Sequence, residues 1–293
     1  MITIFGASGH TGGAAAAYLL KRGKKVRVVG RQREKLAALV KAGAEECVGD
    51  IQDGRFVRDA LAGAEAAYLL IPPNMAAPDF RAYQKRVTEA LVSGIEATGV
   101  GHVVLLSSIG AHHSQGTGPI VGLHEFEGRL RKIANLHALF LRAGFFMENV
   151  FMGMGTIKAK GIYGSPMPAQ AAVRMIASSD IGDYAGGRLD RLDFSGKSVV
   201  HLLGPKDVSQ TELVTTLGQA IGKQVGYVQL SLEDSEKGML QAGLPPAVVS
   251  VYMEMQRGAG QGLVAPEEGG PLEFAPTTFE TFAKQVFAPA YQS

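Results

Sequence analysis

The chain has 293 residues, 46% of them hydrophobic, and its 29 basic and 27 acidic residues are interspersed to a formal net charge of +2. That is enough apolar material for a sizeable core, as one large domain or a large and a small one. A charge so near balance excludes the electrostatic footprint of a nucleic-acid or membrane-surface binder and leaves small molecules as the expected partners. The single cysteine, Cys47, excludes an internal disulfide framework, and no spacing of Cys and His resembles a zinc site, so no metal is expected. No apolar run reaches membrane-spanning length and no basic region precedes the first strand, which predicts a soluble, cytoplasmic protein.

Residues 1–5 read as a short buried parallel strand, and the Ala- and Leu-rich stretch from Thr11 to Arg22 as a helix. Between them runs Gly6-Ala7-Ser8-Gly9-His10-Thr11-Gly12, a G-x-x-G-x-x-G loop. In a dinucleotide fold Gly6 serves the tight turn, Gly9 the approach of a pyrophosphate, and Gly12 the close packing of helix on sheet. The free N–H groups and positive dipole end of the helix then face the phosphates. Glycine spacing alone is a weak signal in a chain with 38 glycines; the strand before, the helix after and a second strand at Lys25–Val29 supply the context.

That second strand ends at Gly30-Arg31. Proteins that bind NAD carry an acid near this point for the ribose 2′-hydroxyl, whereas NADP binders place a cation for the 2′-phosphate. A guanidinium binds phosphate oxygens in bidentate fashion and stacks on adenine, so Arg31 predicts NADP(H). Arg33 and Lys35, just behind, read as the solvated first turn of the next helix.

Further on, a helix over Glu34–Ala42, a strand at Glu45–Val48 and Gly49-Asp50 are followed by a helix through Leu61 and a strand at Ala66–Ile71 ending in Pro72-Pro73-Asn74. A helix over Pro78–Thr98, a strand at His102–Leu106 ending in Ser107-Ser108, a helix over Leu123–Ala134 and a strand at Ala138–Arg142 complete the alternation. The fold class is therefore α/β, a Rossmann-type doubly wound parallel sheet with a smaller α/β C-terminal domain. Residues 1–150 form the NADP-binding part and residues 151–293 the substrate or partner part, from which some segments can return to the sheet. Ligands of such sheets lie beyond the carboxyl ends of the strands, which selects Gly6–Thr11, Arg31, Asp50, Ile71, Pro72, Pro73, Asn74, Ser107, Gly144 and Phe145 as candidate cofactor contacts. Beyond Phe146 the pattern loosens. Ser209–Ile221 and Leu232–Ala242 read as amphipathic helices capped by Ser209 and Ser231, Gly258–Pro276 as a long surface loop, and Thr278–Phe287 as a last helix.

The glycine loop, Val29-Gly30-Arg31, Gly49-Asp50 with Asp53, and the run Leu141-Arg142-Ala143-Gly144-Phe145-Phe146-Met147-Glu148-Asn149 together resemble the NmrA-like branch of the atypical short-chain dehydrogenases/reductases. Gly204-Pro205, Gly222-Lys223-Gln224-Val225 and Pro276-Thr277-Thr278 extend the likeness over nearly the whole chain. Within that branch the sequence looks most like bacterial NADPH:quinone oxidoreductases, a resemblance that implies NADP(H) as cofactor, a quinone as substrate, and the nicotinamide lying near Phe145. Of the neighbouring Phe146, Met147 and Phe151, most read as core beneath the second domain.

Typical short-chain dehydrogenases use a Tyr-x-x-x-Lys pair in which lysine lowers the tyrosine pKa for proton donation. The corresponding positions here are His124 and Gly128. Without a tuned acid, reduction of a quinone is favoured over that of a ketone, because the product phenolate is stable enough for water to protonate. His124, as imidazolium, is the one candidate catalytic donor; its competing role is to pack or cap at a helix start. The missing pair also leaves open a non-catalytic, NADP(H)-binding redox sensor acting through a regulatory protein partner, and a homodimer is compatible with either.

Overall fold

The computed structural model describes residues 1–293. Its strands are β1 (Ile2–Ile4), β2 (Val26–Gly30), β3 (Glu45–Val48), β4 (Ala66–Leu69), β5 (His102–Ser108), β6 (His137–Ala143), β7 (Phe145–Phe146), β8 (Ile162–Ser165), β9 (Ala172–Ile176), β10 (Lys197–Leu203), β11 (Asp207–Ser209), β12 (Gly226–Gln229) and β13 (Leu272–Phe274). Eight of them form one parallel sheet in the order β13-β10-β6-β5-β4-β1-β2-β3. Both neighbours of β1, namely β2 and β4, run parallel to it, so the winding direction reverses there and a crevice opens beyond its carboxyl end.

Apolar side chains on both faces bury the sheet, and β4 is buried at every residue. On one face lie α3 (Gly54–Leu61), α4 (Phe80–Thr98) and α5 (Ile120–Arg131), whose Val57, Leu61, Val87, Leu91, Phe126 and Leu130 pack on Leu69, Leu105 and Phe140. Asp53 and Asp79 start α3 and α4 by accepting from first-turn N–H groups. On the other face lie α1 (His10–Lys21) and α7 (Ser178–Arg191). The short helices α2 (Ala37–Lys41) and α6 (Met154–Lys160) connect strands. A second core gathers around Val150, Leu213, Leu217, Phe279, Phe282 and Phe287, beneath α8 (Gln210–Ile221) and the two smaller sheets β11-β9-β7 and β12-β8. A reciprocal Ser209–Glu212 box opens α8, and Ser231 caps α9 (Leu232–Gln241). Helix α10 (Pro246–Gly260) returns to the first core through Val248. No helix is long and apolar enough to cross a membrane.

The segment from Gly258 to Pro276 is not the plain surface loop expected of its Gly and Pro content. Helix α10 runs to Gly260, and β13 adds itself to the sheet edge beside β10. Every residue of this short edge strand is exposed, so it carries no apolar alternation to betray it. Helix α7 and strand β10 likewise had no sequence assignment. The glycines that blur the helical period of α7 are required by packing: a Cβ at Gly182 would lie 2.4 Å from that of Ala14 on α1. Two strands of the main sheet and one covering helix thus come from beyond residue 150.

Candidate active site

The glycine loop leaves β1 at Gly6, whose φ of +65° lies in the left-handed region. A Cβ at Gly12 would sit 2.5 Å from the Gly6 carbonyl oxygen, so only glycine lets α1 begin this close to the strand. Ala7 is buried and donates to the Val29 carbonyl, fixing the loop to β2, and Thr11 is buried, while Ser8, Gly9 and His10 face outward. Gly9 caps α1 without a side chain, the first turn holds no acid, and no main-chain acceptor takes the N–H groups of His10, Thr11 and Gly12. This glycine cradle with free donors fits a pyrophosphate.

Beyond the neighbouring strands stand Arg31 and Asp50, both exposed. Arg33 is paired with Glu46 at 3.1 Å, whereas Arg31 has no carboxylate partner and no hydrogen bond within the chain, which fits the role of phosphate ligand. Asp50 is held by Gln52, whose backbone N–H donates to it at 3.0 Å, and Gln52 in turn accepts from Arg86 of α4 at 3.1 Å. Tyr83 of α4 is buried and donates to the Pro72 carbonyl oxygen at 2.8 Å. Burial pushes its hydroxyl up to about 12, with Arg31 pulling it down and Asp50 pushing it up.

After β4, Ile71, Pro72 and Asn74 are half-buried and Pro73 is exposed; the Asn74 side chain accepts from the Ala76 N–H at 3.3 Å. At the end of β5, Ser107 points into the α5 face and donates to Glu127. Gly144 follows β6 where a Cβ would meet the Arg174 carbonyl oxygen at 2.6 Å. Phe145 pairs with Met175 of β9 and leans on the second core. Met147 is fully buried, Phe146 packs on the core beneath α1 and α7, and Phe151 stacks on Phe287 at 5.8 Å, so these three are core residues. His124 of α5 is half-buried. Its Nδ1 lies 2.9 Å from the Ala111 carbonyl oxygen, which makes Nδ1 the donor of that bond, and the residue lines a polar groove of about 440 Å³ with Lys85, Glu89 and Lys132.

The sequence reading missed the groups that hold these strand ends together. Ser107, Arg142 and His201 stand side by side across β5, β6 and β10. Arg142 grips Glu127 through both carboxylate oxygens, at 3.0 and 2.8 Å, and reaches Glu267 at 2.7 Å. His201 is fully buried with neither ring nitrogen bonded; burial and then Arg142 hold its pKa below the ordinary value. An arginine inside an otherwise apolar strand was the available signal, since a buried cation requires an acid. In the same way Glu148 caps α7 at the Ser178 N–H (3.0 Å), and Asp180 binds Thr277 through N–H and hydroxyl at 3.0 and 2.8 Å. These contacts give the Phe146-Met147-Glu148 and Pro276-Thr277-Thr278 segments structural work.

The NmrA-like family is matched over residues 1–267. The chain belongs to the NmrA-like family. Within or beside it, the chain is 25% identical to the NAD(P)H azoreductase of Xenophilus azovorans over 97% of both chains. It is 26% identical to quinone oxidoreductase 2 of Escherichia coli (strain K12) over 89% of both. The fold superposes on the NADPH complex of the NADPH-dependent quinone oxidoreductase of Escherichia coli with a TM-score of 0.80 at 22% identity, covering 98% of this chain and 100% of that one. It superposes on the Citrobacter sp. triphenylmethane reductase complexed with NADP(H) with a TM-score of 0.76 at 20% identity and the same coverage.

Proposed function

We propose that this NmrA-like chain is an NADPH-dependent oxidoreductase that reduces a quinone or a similarly conjugated acceptor. The observation that carries the reading is the unpartnered Arg31 at the end of β2, beside the uncapped, glycine-cradled start of α1. Relatives along the full chain are named for quinone and azo reduction, and a structural neighbour for triphenylmethane reduction. These acceptors share a delocalised, electron-poor π-system open to hydride: a quinone becomes an anion that is then protonated, and a cationic triphenylmethane dye is neutralised.

Bound NADPH would supply the hydride. The N–H groups of His10, Thr11 and Gly12 would hold its pyrophosphate and Arg31 its 2′-phosphate, with Asp50 beside the adenosine. Ile71–Asn74 would wall the slot opposite Arg31 and Asp50, and Gly144 and Phe145 would line the path toward the nicotinamide. A quinone gains the hydride and one proton to become a hydroquinone. With His124 and Gly128 at the Tyr and Lys positions, the proton comes from water or from His124, whose Nε2 is the nitrogen free to carry it.

The test is NADPH oxidation, compared with NADH, by the purified protein with benzoquinones, naphthoquinones and an azo dye. Acceptor-dependent turnover that prefers NADPH supports the proposal. Tight NADPH binding without turnover on any acceptor defeats it in favour of a redox sensor. Substituting His124→Phe separates the proton routes: a loss of kcat with NADPH affinity unchanged marks His124 as donor, and an unchanged kcat assigns the proton to water.

A further inference from the structure

We propose that helix α4 braces the adenosine end of the cofactor slot and that Tyr83 is its positioning residue. The inference rests on the cofactor reading above. The slot has two walls. One is built from Arg31 and Asp50, beyond β2 and β3; the other is Ile71–Asn74, beyond β4, and the strand between them, β1, ends at Ile4 and turns away at Gly6. Neither outer wall is part of the sheet's hydrogen-bond ladder, so each needs an anchor elsewhere.

Both anchors come from α4, less than one helical turn apart. Tyr83 donates to the Pro72 carbonyl oxygen at 2.8 Å. Pro72 and Pro73 have no N–H of their own, so this carbonyl is the polar handle by which their turn can be held. Arg86 donates through Nε to Gln52 at 3.1 Å, and the Gln52 side chain donates to the Asp50 carboxylate at 3.2 Å. Tyr83 is 5% exposed, so its ring is enclosed where its hydroxyl meets the Pro72 wall. Its neighbour Phe80 lies at 6.4 Å between ring centroids and continues to Tyr252 of α10 at 6.0 Å, which fixes the ring from behind. The tyrosine hydroxyl is thus spent on the slot's geometry, and the width of the slot follows from where α4 stands.

The discriminating probe is adenosine 2′,5′-bisphosphate, which carries the adenosine and 2′-phosphate but no nicotinamide. Tyr83→Phe keeps the ring and removes only the bond to Pro72. It is expected to bind this probe and NADPH about threefold to tenfold more weakly, as loss of one such bond implies, with kcat at saturating NADPH and the affinity for nicotinamide mononucleotide unchanged. A purely structural tyrosine would instead lower the melting temperature without a loss confined to the adenosine half. Arg86→Ala, at an exposed site, tests the second anchor independently and is expected to weaken the same probe. Unchanged probe affinity in both variants overturns the brace. Failure of the unsubstituted protein to bind the probe overturns the cofactor reading itself, and the brace with it.

Discussion

The Ser107 hydroxyl donates to Oε1 of Glu127 at 2.7 Å, the same oxygen that Arg142 Nε holds at 3.0 Å, with all three residues buried. The serine at the end of β5 therefore completes an ion pair in the sheet's α5 face. Removing Glu127 leaves the buried Arg142 with only the half-exposed Glu267 as partner, a loss of up to about 3–5 kcal/mol. Glu127→Ala should lose that much in urea unfolding, and Ser107→Ala about 1.5–3 kcal/mol. A Ser107→Ala protein of unchanged stability but reduced turnover would place the hydroxyl on the ligand instead.

Arg31→Glu should weaken NADPH by about tenfold to a hundredfold while leaving NADH within about threefold, since it replaces a charge-assisted phosphate contact by repulsion. Isothermal titration with each cofactor decides the matter. Equal losses for both would show that Arg31 supports the fold of the β2 end.

His201 makes the fold sensitive to mild acid. Its folded pKa lies below the ordinary 6.5, so the unfolded chain binds the proton more readily. The stability contributed by the neutral ring is complete above pH 6.5 and is lost as pH falls through the folded value. The groups around it are Arg142, Glu267, His112 and Glu127, and Glu267 keeps its charge well into acid because Arg142 holds its pKa down. His201→Leu, similar in volume, should flatten the decline in melting temperature between pH 7 and 5, about the range in which histidine titrates. A decline of unchanged steepness in the variant would assign it to other groups.

Gly12→Ala drives a methyl group against the Gly6 carbonyl oxygen at 2.5 Å and that of Phe5 at 3.0 Å. Both are main-chain atoms that cannot step aside. The variant should lose about 1–3 kcal/mol of stability, a usual overpacking cost, together with NADPH binding. Differential scanning calorimetry with and without NADPH reads both effects, and full retention of the NADPH-induced shift would contradict the role given to the loop.

The order of strands and helices through β6 was legible because each alternation was bounded by Gly, Pro or a capping Asp. The tight turn at Gly6, the close helix start at Gly12 and the place of Arg31 at the end of β2 were legible because each depends on local sequence. What escaped depends on pairs far apart in sequence: Arg142 with Glu127 and Glu267, Asp180 with Thr277, Tyr83 with Pro72. Helix α7 was hidden by glycines that only its contact with α1 explains, and β13 by an exposed edge without periodicity. Ser107 illustrates the same limit, since a serine at a strand end reads alike whether it faces a ligand or a buried carboxylate.

Because β10, β13 and α7 complete the sheet from the distal part of the chain, the glycine loop emerges from the ribosome long before its surroundings exist. Until residues 178–203 follow, α1 lacks its cover and β6 offers an open, apolar edge. A nascent chain arrested after β6 would therefore expose that edge, and synthesis must reach β10 before α1 and β6 are both covered.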